Sequence, residues 1–392
     1  MSSSTHFDIL IVGAGLSGAS LACALRGSRF RVGLLERQPP SLPLAEGWDA
    51  RIYAISPANV EFLQHCGAWE HLPRERIVPV EKMDVRGDAG GKLAFSAYES
   101  GLQALAWIVE SSRMADELWQ TARRQPNISV LCPASPVEMA VDGASAKVVL
   151  EDGRHITASL VVAADGVNSW VRTQAGIAAE MRPYGELGVV ANFRCEKPHF
   201  GTAFQWFRPD GVLAYLPLLG NQISIVWSTP ESHAQELLAL TPEAFCAKVA
   251  EAGGLQLGEL ELITPPAGFP LRWMKADTLV APRLALIGDA AHAVHPLSGH
   301  GINLGFQDAQ ALVEMLLALP EFRDCGDLSA LQRYARARAE ETLLVRGTTD
   351  ALQRLFKADL APLGFVRNAG MSLVGAISPL RSVMARYAAG LF

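Results

Sequence analysis

Phe7-Asp8-Ile9-Leu10-Ile11-Val12 runs directly into Gly13-Ala14-Gly15-Leu16-Ser17-Gly18, a helical pattern follows, and Glu36 with Arg37 closes the next apolar run. Strand, glycine turn, helix, second strand and acid, in that order, describe a βαβ unit that binds a dinucleotide. Gly13 makes the tight turn possible. Gly15 lets backbone N–H groups approach a pyrophosphate at the helix N-terminus, and a side chain there would fill that space and strain the turn. Gly18 permits close packing of helix on strand. Glu36, about 20 residues beyond the turn, is placed to accept hydrogen bonds from adenosine ribose hydroxyls. An acid rather than a base at that point favours an unphosphorylated ribose, as in FAD or NAD, without choosing between them.

Two distant stretches repeat the theme. Leu160-Val161-Val162-Ala163-Ala164-Asp165-Gly166 is an apolar strand ending in an Asp-Gly turn, with Asn168, Ser169 and Arg172 at a helix start. Leu284-Ala285-Leu286-Ile287-Gly288-Asp289 ends another strand in Gly-Asp and continues through His292. Pro296-Leu297-Ser298-Gly299-His300-Gly301-Ile302-Asn303 then opens a long helix carrying Asp308. Glycine beside a strand-end carboxylate lets a ligand come close and suits a polyol. The N–H groups of the later helix start favour negative charge.

Together the three motifs resemble the flavoprotein aromatic hydroxylases, single-component FAD monooxygenases of the para-hydroxybenzoate hydroxylase type, over nearly the whole chain. The resemblance implies bound FAD, with Asp289 after Gly288 on the ribityl chain. It assigns Asp165-Gly166 to FAD and to transiently docked NAD(P)H. It places Pro296, Gly299, Gly301, Ile302 and Asn303 around the flavin ring, with His300 standing where relatives often have Gln. Asp49-Ala50-Arg51 matches the segment in which an arginine lies beside the flavin, which gives Arg51 a cofactor contact. The implied reaction uses NAD(P)H and O2 and transfers oxygen from a C4a-hydroperoxyflavin to an electron-rich ring. No residue stands out as a general base; His292 and His300 are candidates by chemistry alone.

From Leu363 to Phe392 the chain carries Arg367, Arg381 and Arg386 and no acid, so a chain of net charge −6 has a basic, apolar end. Stretches near residues 365–377 and 379–390 have the pattern of helices with arginines at the margin of an apolar face. Such a face suits a membrane surface, and equally suits packing on the chain's own body or a sister subunit. This tail, with Asp49-Ala50-Arg51 and Gly288 to His292, looks like the ubiquinone-biosynthesis hydroxylases within the group. That likeness implies a polyprenylated aromatic substrate and contact with the membrane or with other ubiquinone-biosynthesis proteins. A homo-oligomer is compatible with it. The competing readings are a hydroxylase of a small soluble phenol and a non-catalytic FAD-binding member of a lipid-biosynthetic assembly.

Composition sets limits. With 392 residues, 49% hydrophobic and 19% charged, the chain is globular and has room for two or three domains. Nothing in it points to nucleic acid. No G-x-S-x-G elbow supports a hydrolase, and the W-x-W-x-I-P motif of flavin halogenases is absent. His292, His295 and His300 have no cysteine or carboxylate partners at ligand spacing, so no metal is expected. Six cysteines without a close pair read as buried, reduced thiols. Met1-Ser2-Ser3-Ser4-Thr5 leads straight into the first strand, so no signal peptide is expected, and the location expected is cytoplasmic, peripheral to the inner face of the membrane.

The expected fold class is α/β. A Rossmann-like FAD-binding domain (1–75, 101–180 and 276–340) is interrupted by a mixed or antiparallel β-sheet substrate domain (76–100 and 181–275), with a C-terminal helical segment (341–392). Residues Val80–Val85 and Lys92–Ala97 read as paired strands, and 181–275 as successive hairpins in which Trp206, Tyr215 and Trp227 are core residues.

Overall fold

The first strand, Thr5–Val12, is apolar on both faces because both are covered: Ile9 and Ile11 pack into one hydrophobic cluster, Leu10 and Val12 into another. Each such side chain, fully buried, contributes about 1.5–3 kcal/mol. A strand buried on both sides belongs in the middle of a parallel sheet. Thr5–Val12 pairs in parallel with Val32–Leu35 on one side and His155–Ala163 on the other; Ile128–Leu131 and Leu284–Leu286 extend the same parallel array. The computed structural model describes residues 5–40, 47–88, 90–294 and 301–339, with positions 384 and 386.

Helices Leu16–Ala24, Ser111–Arg123 and Gly301–Leu317 share one hydrophobic cluster with this sheet. The strand ends Val12, Ala163 and Leu286 lie at one edge of the parallel array, so the three glycine-bearing motifs emerge side by side. Ligands of open α/β sheets bind at this carboxyl edge.

A second sheet of nine strands is built around the long strand Ala179–Cys195. Its hairpins Thr202–Arg208, Gly211–Leu218 and Gln222–Pro230 pair antiparallel, and Lys82–Arg86 with Lys92–Ser96 completes one end. Side chains alternate across it. Trp206, Tyr215 and Trp227 are buried on the face covered by helices Glu231–Leu238 and Pro242–Ala252. Those two helices depart from the expected run of hairpins, and the Tyr215 hydroxyl donates from the sheet to the Val249 carbonyl of helix Pro242–Ala252 at 2.6 Å.

The expected strand Val80–Val85 is broken at Glu81. Val78–Val80 belongs to a separate three-stranded sheet with Ile52–Ile55 and Ala106–Glu110, whereas Lys82–Arg86 belongs to the large sheet. The Glu81 N–H donates to the Gly201 carbonyl, so the chain changes sheets at that residue. Four cysteines are buried, while Cys132 and Cys246 are only half-buried, and all six are free thiols. Among the described residues no helix is long and apolar enough to cross a membrane.

Candidate functional site

The carboxyl edge of the parallel array, the open face of the second sheet and the three-stranded sheet enclose a cavity of about 1010 Å³. Its lining combines two chemistries. Gly15, Arg51, Gly166, Asp289 and Asn303 line one part, and Val80, Met83, Phe95, Leu105 and Leu216 line another.

The glycine turn is shaped by contacts that only glycine tolerates. Gly13 has φ +100°, and a Cβ on it would lie 2.4 Å from the Ala164 carbonyl oxygen. At Gly18 a Cβ would meet the Gly13 carbonyl oxygen at 2.0 Å. Gly15 differs. It faces open space, with nothing within 4 Å of a built Cβ. Its φ of −62° and ψ of 179° suit any residue, so the expected strain at the turn belongs to Gly13 and not to Gly15.

Glu36 braces this turn. Its Oε2 accepts from the Ala14 N–H at 2.7 Å and its Oε1 from the Arg37 N–H at 2.8 Å. Arg37 itself is exposed, and neither it nor Glu36 lines the cavity.

The second motif is held the same way. Asp165 Oδ2 accepts from the Trp170 and Val171 N–H groups at 2.7 and 3.1 Å, capping a short helix, while its buried Oδ1 has no partner among the described residues. Arg172, at 6% exposure, donates to the carbonyls of Val167 at 2.9 Å and Ala290 at 2.8 Å. The Asp-Gly and Gly-Asp turns are thereby tied together.

Gly288, at φ +56°, lets Asp289 project into the cavity. The Asp289 carboxyl is exposed to that cavity, yet protein surrounds it. Burial raises its pKa above the ordinary 3.8, against the opposing pull of His292 and Arg51. Among the described residues it has no hydrogen-bond partner. The Arg51 loop is fixed from three sides: Asp49 accepts from the N–H groups of Arg51 and Ser112, its own N–H donates to Glu110, and Asn192 donates to its carbonyl.

Asn303 joins the opening turn of helix Gly301–Leu317 to the neighbouring strand and helix. Its amide donates to the Ala54 carbonyl at 2.8 Å and accepts from the Ser56 N–H at 3.0 Å and Asn59 Nδ2 at 2.8 Å. Gly301 and Ile302 line the cavity beside it, whereas Pro296, Gly299 and His300 lie outside the described residues.

His292 is not placed for catalysis. It is 3% exposed, is not among the cavity-lining residues, and its Nε2 lies 2.7 Å from Asp308 Oδ2. Asp308 is fully buried and also accepts from Arg338 Nε at 2.7 Å and the Gly288 N–H at 2.9 Å. Burial alone would raise the Asp308 pKa; His292 and Arg338 outweigh it and hold the carboxyl below its ordinary value. The sequence reading missed Arg338. Its signal was the spacing of Leu331, Tyr334 and Arg338, three buried positions on one helix face that include a cation in need of an acid.

Comparison with known proteins agrees with this geometry. A family model described as FAD binding domain matches residues 6–343. The chain belongs to that family. It is 36% identical to ubiquinone hydroxylase UbiL of Rhodospirillum rubrum, over 98% of this chain and 89% of the relative. It is 32% identical to 3-demethoxyubiquinol 3-hydroxylase of Escherichia coli, over 98% of both. Among solved structures, PqsL of P. aeruginosa in complex with 2-aminobenzoylacetate matches with a TM-score of 0.78 at 24% identity, covering 93% of this chain and 100% of that one. The p-nitrophenol 4-monooxygenase PnpA of Pseudomonas putida matches with a TM-score of 0.79 at 19% identity, covering 98% and 97%. Those two likenesses concern the fold. By its family the chain is a flavin-dependent monooxygenase.

The residues present fit FAD. The open space over Gly15 can take a pyrophosphate, the Asp289 carboxyl facing the cavity can accept from a polyol, and the orphaned Asp165 Oδ1 is a further acceptor next to Gly166. Most of the tail lies outside the described residues; Met384 lines the cavity, and Arg386 is exposed.

Proposed function

We propose that this protein uses FAD, NAD(P)H and O2 to hydroxylate the aromatic ring of a polyprenylated quinone precursor in ubiquinone biosynthesis. The observation that carries this reading is one cavity lined both by glycines with a carboxylate and by a large set of apolar side chains. A small phenol has no use for the apolar stretch from Leu105 and Val80 to Met83 and Phe95; an isoprenoid chain fills it.

When bound, FAD supplies the redox and oxygen-transfer chemistry. The protein's own part is placement and exclusion of water. Gly13, Gly15 and Gly18 shape the pyrophosphate cradle, with Glu36 bracing the turn toward the ribose side. Asp289 accepts from the ribityl hydroxyls, and Arg51, held by Asp49, brings positive charge near it. The N-terminal turn of helix Gly301–Leu317, anchored by Asn303, presents the positive end of its dipole where negative charge is to be stabilised. The apolar walls keep water from the reacting centre.

Support also comes from the relatives, whose names place them in ubiquinone hydroxylation. The test is turnover of purified, FAD-loaded protein with NAD(P)H on two phenols that share one ring, one with a polyprenyl chain and one without. The account expects a markedly higher kcat/KM for the prenylated ring. Equal kcat/KM for both would favour the small-phenol hydroxylase, and no NAD(P)H oxidation with either phenol would favour a non-catalytic role.

A further inference from the structure

The roof of the cavity holds one amide that the fold does not use. Gln205 lies on strand Thr202–Arg208, is 8% exposed and lines the cavity. Its side chain has no hydrogen-bond partner among the described residues.

The register places it in a row. Gln205 pairs with Ala214, Ala214 with Val226, and Val226 with Val190, and all four line the cavity. Gln205 is the only polar member, at one end of a shelf of small apolar side chains. A neighbouring row, Ala203 with Met83 and Met83 with Phe95, is wholly apolar and runs to Lys92–Ser96, the last strand of the sheet. An amide that faces the cavity is free to meet a ligand there, and a carboxamide can both donate to and accept from a ligand oxygen.

We infer that Gln205 is a positioning residue that hydrogen-bonds an oxygen substituent of the aromatic ring. The ring then lies on Ala214 and Val226, while its hydrocarbon chain follows Met83 and Phe95 toward the edge strand. This rests on the proposed lipid-phenol substrate and adds to it the group that fixes the ring's orientation. Gln205 stands on the second sheet while the glycine motifs stand at the strand ends of the parallel array, so FAD content is expected to be independent of it.

The test titrates FAD-loaded protein with 2-geranylphenol and with geranylbenzene, which lacks only the ring oxygen, and follows the flavin absorbance change. The parent protein is expected to bind the phenol about tenfold more tightly than the hydrocarbon. In Gln205→Leu the phenol's advantage should vanish while geranylbenzene affinity and flavin content hold. Gln205→Met, unbranched and close in volume, gives the same reading where the leucine variant does not fold. A phenol preference that persists in either FAD-loaded variant, or a parent that binds the two probes equally, overturns the role of Gln205 and leaves the lipid-substrate reading standing. A parent that binds neither probe overturns the substrate reading on which the inference rests.

Discussion

Arg172 donates to the Ala290 carbonyl at 2.8 Å across 118 residues of sequence, which makes the Asp-Gly and Gly-Asp turns one unit. The same guanidinium holds the Val167 carbonyl at 2.9 Å. Arg172→Ala leaves both carbonyls without their donor and should cost about 2–3 kcal/mol of stability. Flavin affinity should fall with it, because the loop carrying Asp289 loses its tether. Urea unfolding and equilibrium dialysis of FAD check both; an unchanged FAD affinity would show that the turns keep their relation without Arg172.

Gly13 and Gly15 separate two kinds of failure. Gly13→Ala drives a methyl into the Ala164 carbonyl and forces a positive φ on a non-glycine residue, so the fold itself should suffer. Gly15→Val meets open space and an ordinary backbone conformation, so the fold should survive while the pyrophosphate is excluded. Circular dichroism and flavin absorbance, read on both variants, check this. Full flavin content in Gly15→Val would contradict the placement of the pyrophosphate.

Asp289 predicts a pH dependence of cofactor retention. Its carboxyl titrates above the ordinary 3.8 in the free protein because of burial, whereas polyol hydroxyls favour the ionised form. Binding FAD therefore releases a proton, and affinity should rise with pH up to the raised value and level off above it. Asp289→Asn should bind FAD more weakly and without that slope. Flavin release measured across the acidic range distinguishes the two; an identical slope in the variant would assign it to another group.

Much of this arrangement is legible in the sequence because the chemistry is local there. Gly13 to Gly18, Asp165-Gly166 and Gly288-Asp289 each sit within a few residues of the strand end that positions them, so strand, turn and acid can be read together. Arg338 and Gln205 are not local. Arg338 matters because a helix 30 residues beyond Asp308 folds back on it, and Gln205 because strand alternation turns it toward the cavity while Trp206 turns away. His292 shows the converse: its chemistry suggested an acid–base role, but only the fold reveals that Asp308 holds it below the cavity wall. The sheet change at Glu81 was hidden because a single residue separates Val78–Val80 from Lys82–Arg86, with no glycine or turn signal to mark the boundary.

The group around Asp308 makes a stability prediction. Asp308→Asn removes the buried carboxylate that pairs with Arg338, itself 2% exposed, and breaking a buried ion pair on one side costs about 3–5 kcal/mol. The wild-type stabilisation is present above the unfolded carboxylate value and is lost as pH falls through the lowered folded value, since protonation removes the same charge. Urea unfolding of parent and variant at neutral and acidic pH should show the difference narrowing in acid. A constant difference would mean that packing, not charge, sets the loss.

The central claim, that FAD held between the three glycine motifs lets this chain place one atom of O2 on an aromatic ring bound in the apolar cavity, is tested most directly by isotope. Purified FAD-loaded protein is given NAD(P)H, a prenylated phenol and oxygen-18 gas, and the product is weighed by mass spectrometry. The account predicts a ring-hydroxylated product carrying one oxygen-18 atom, formed by the parent and absent with Gly15→Val. Hydroxyl oxygen drawn from water, or NAD(P)H consumed with only hydrogen peroxide formed, would contradict it.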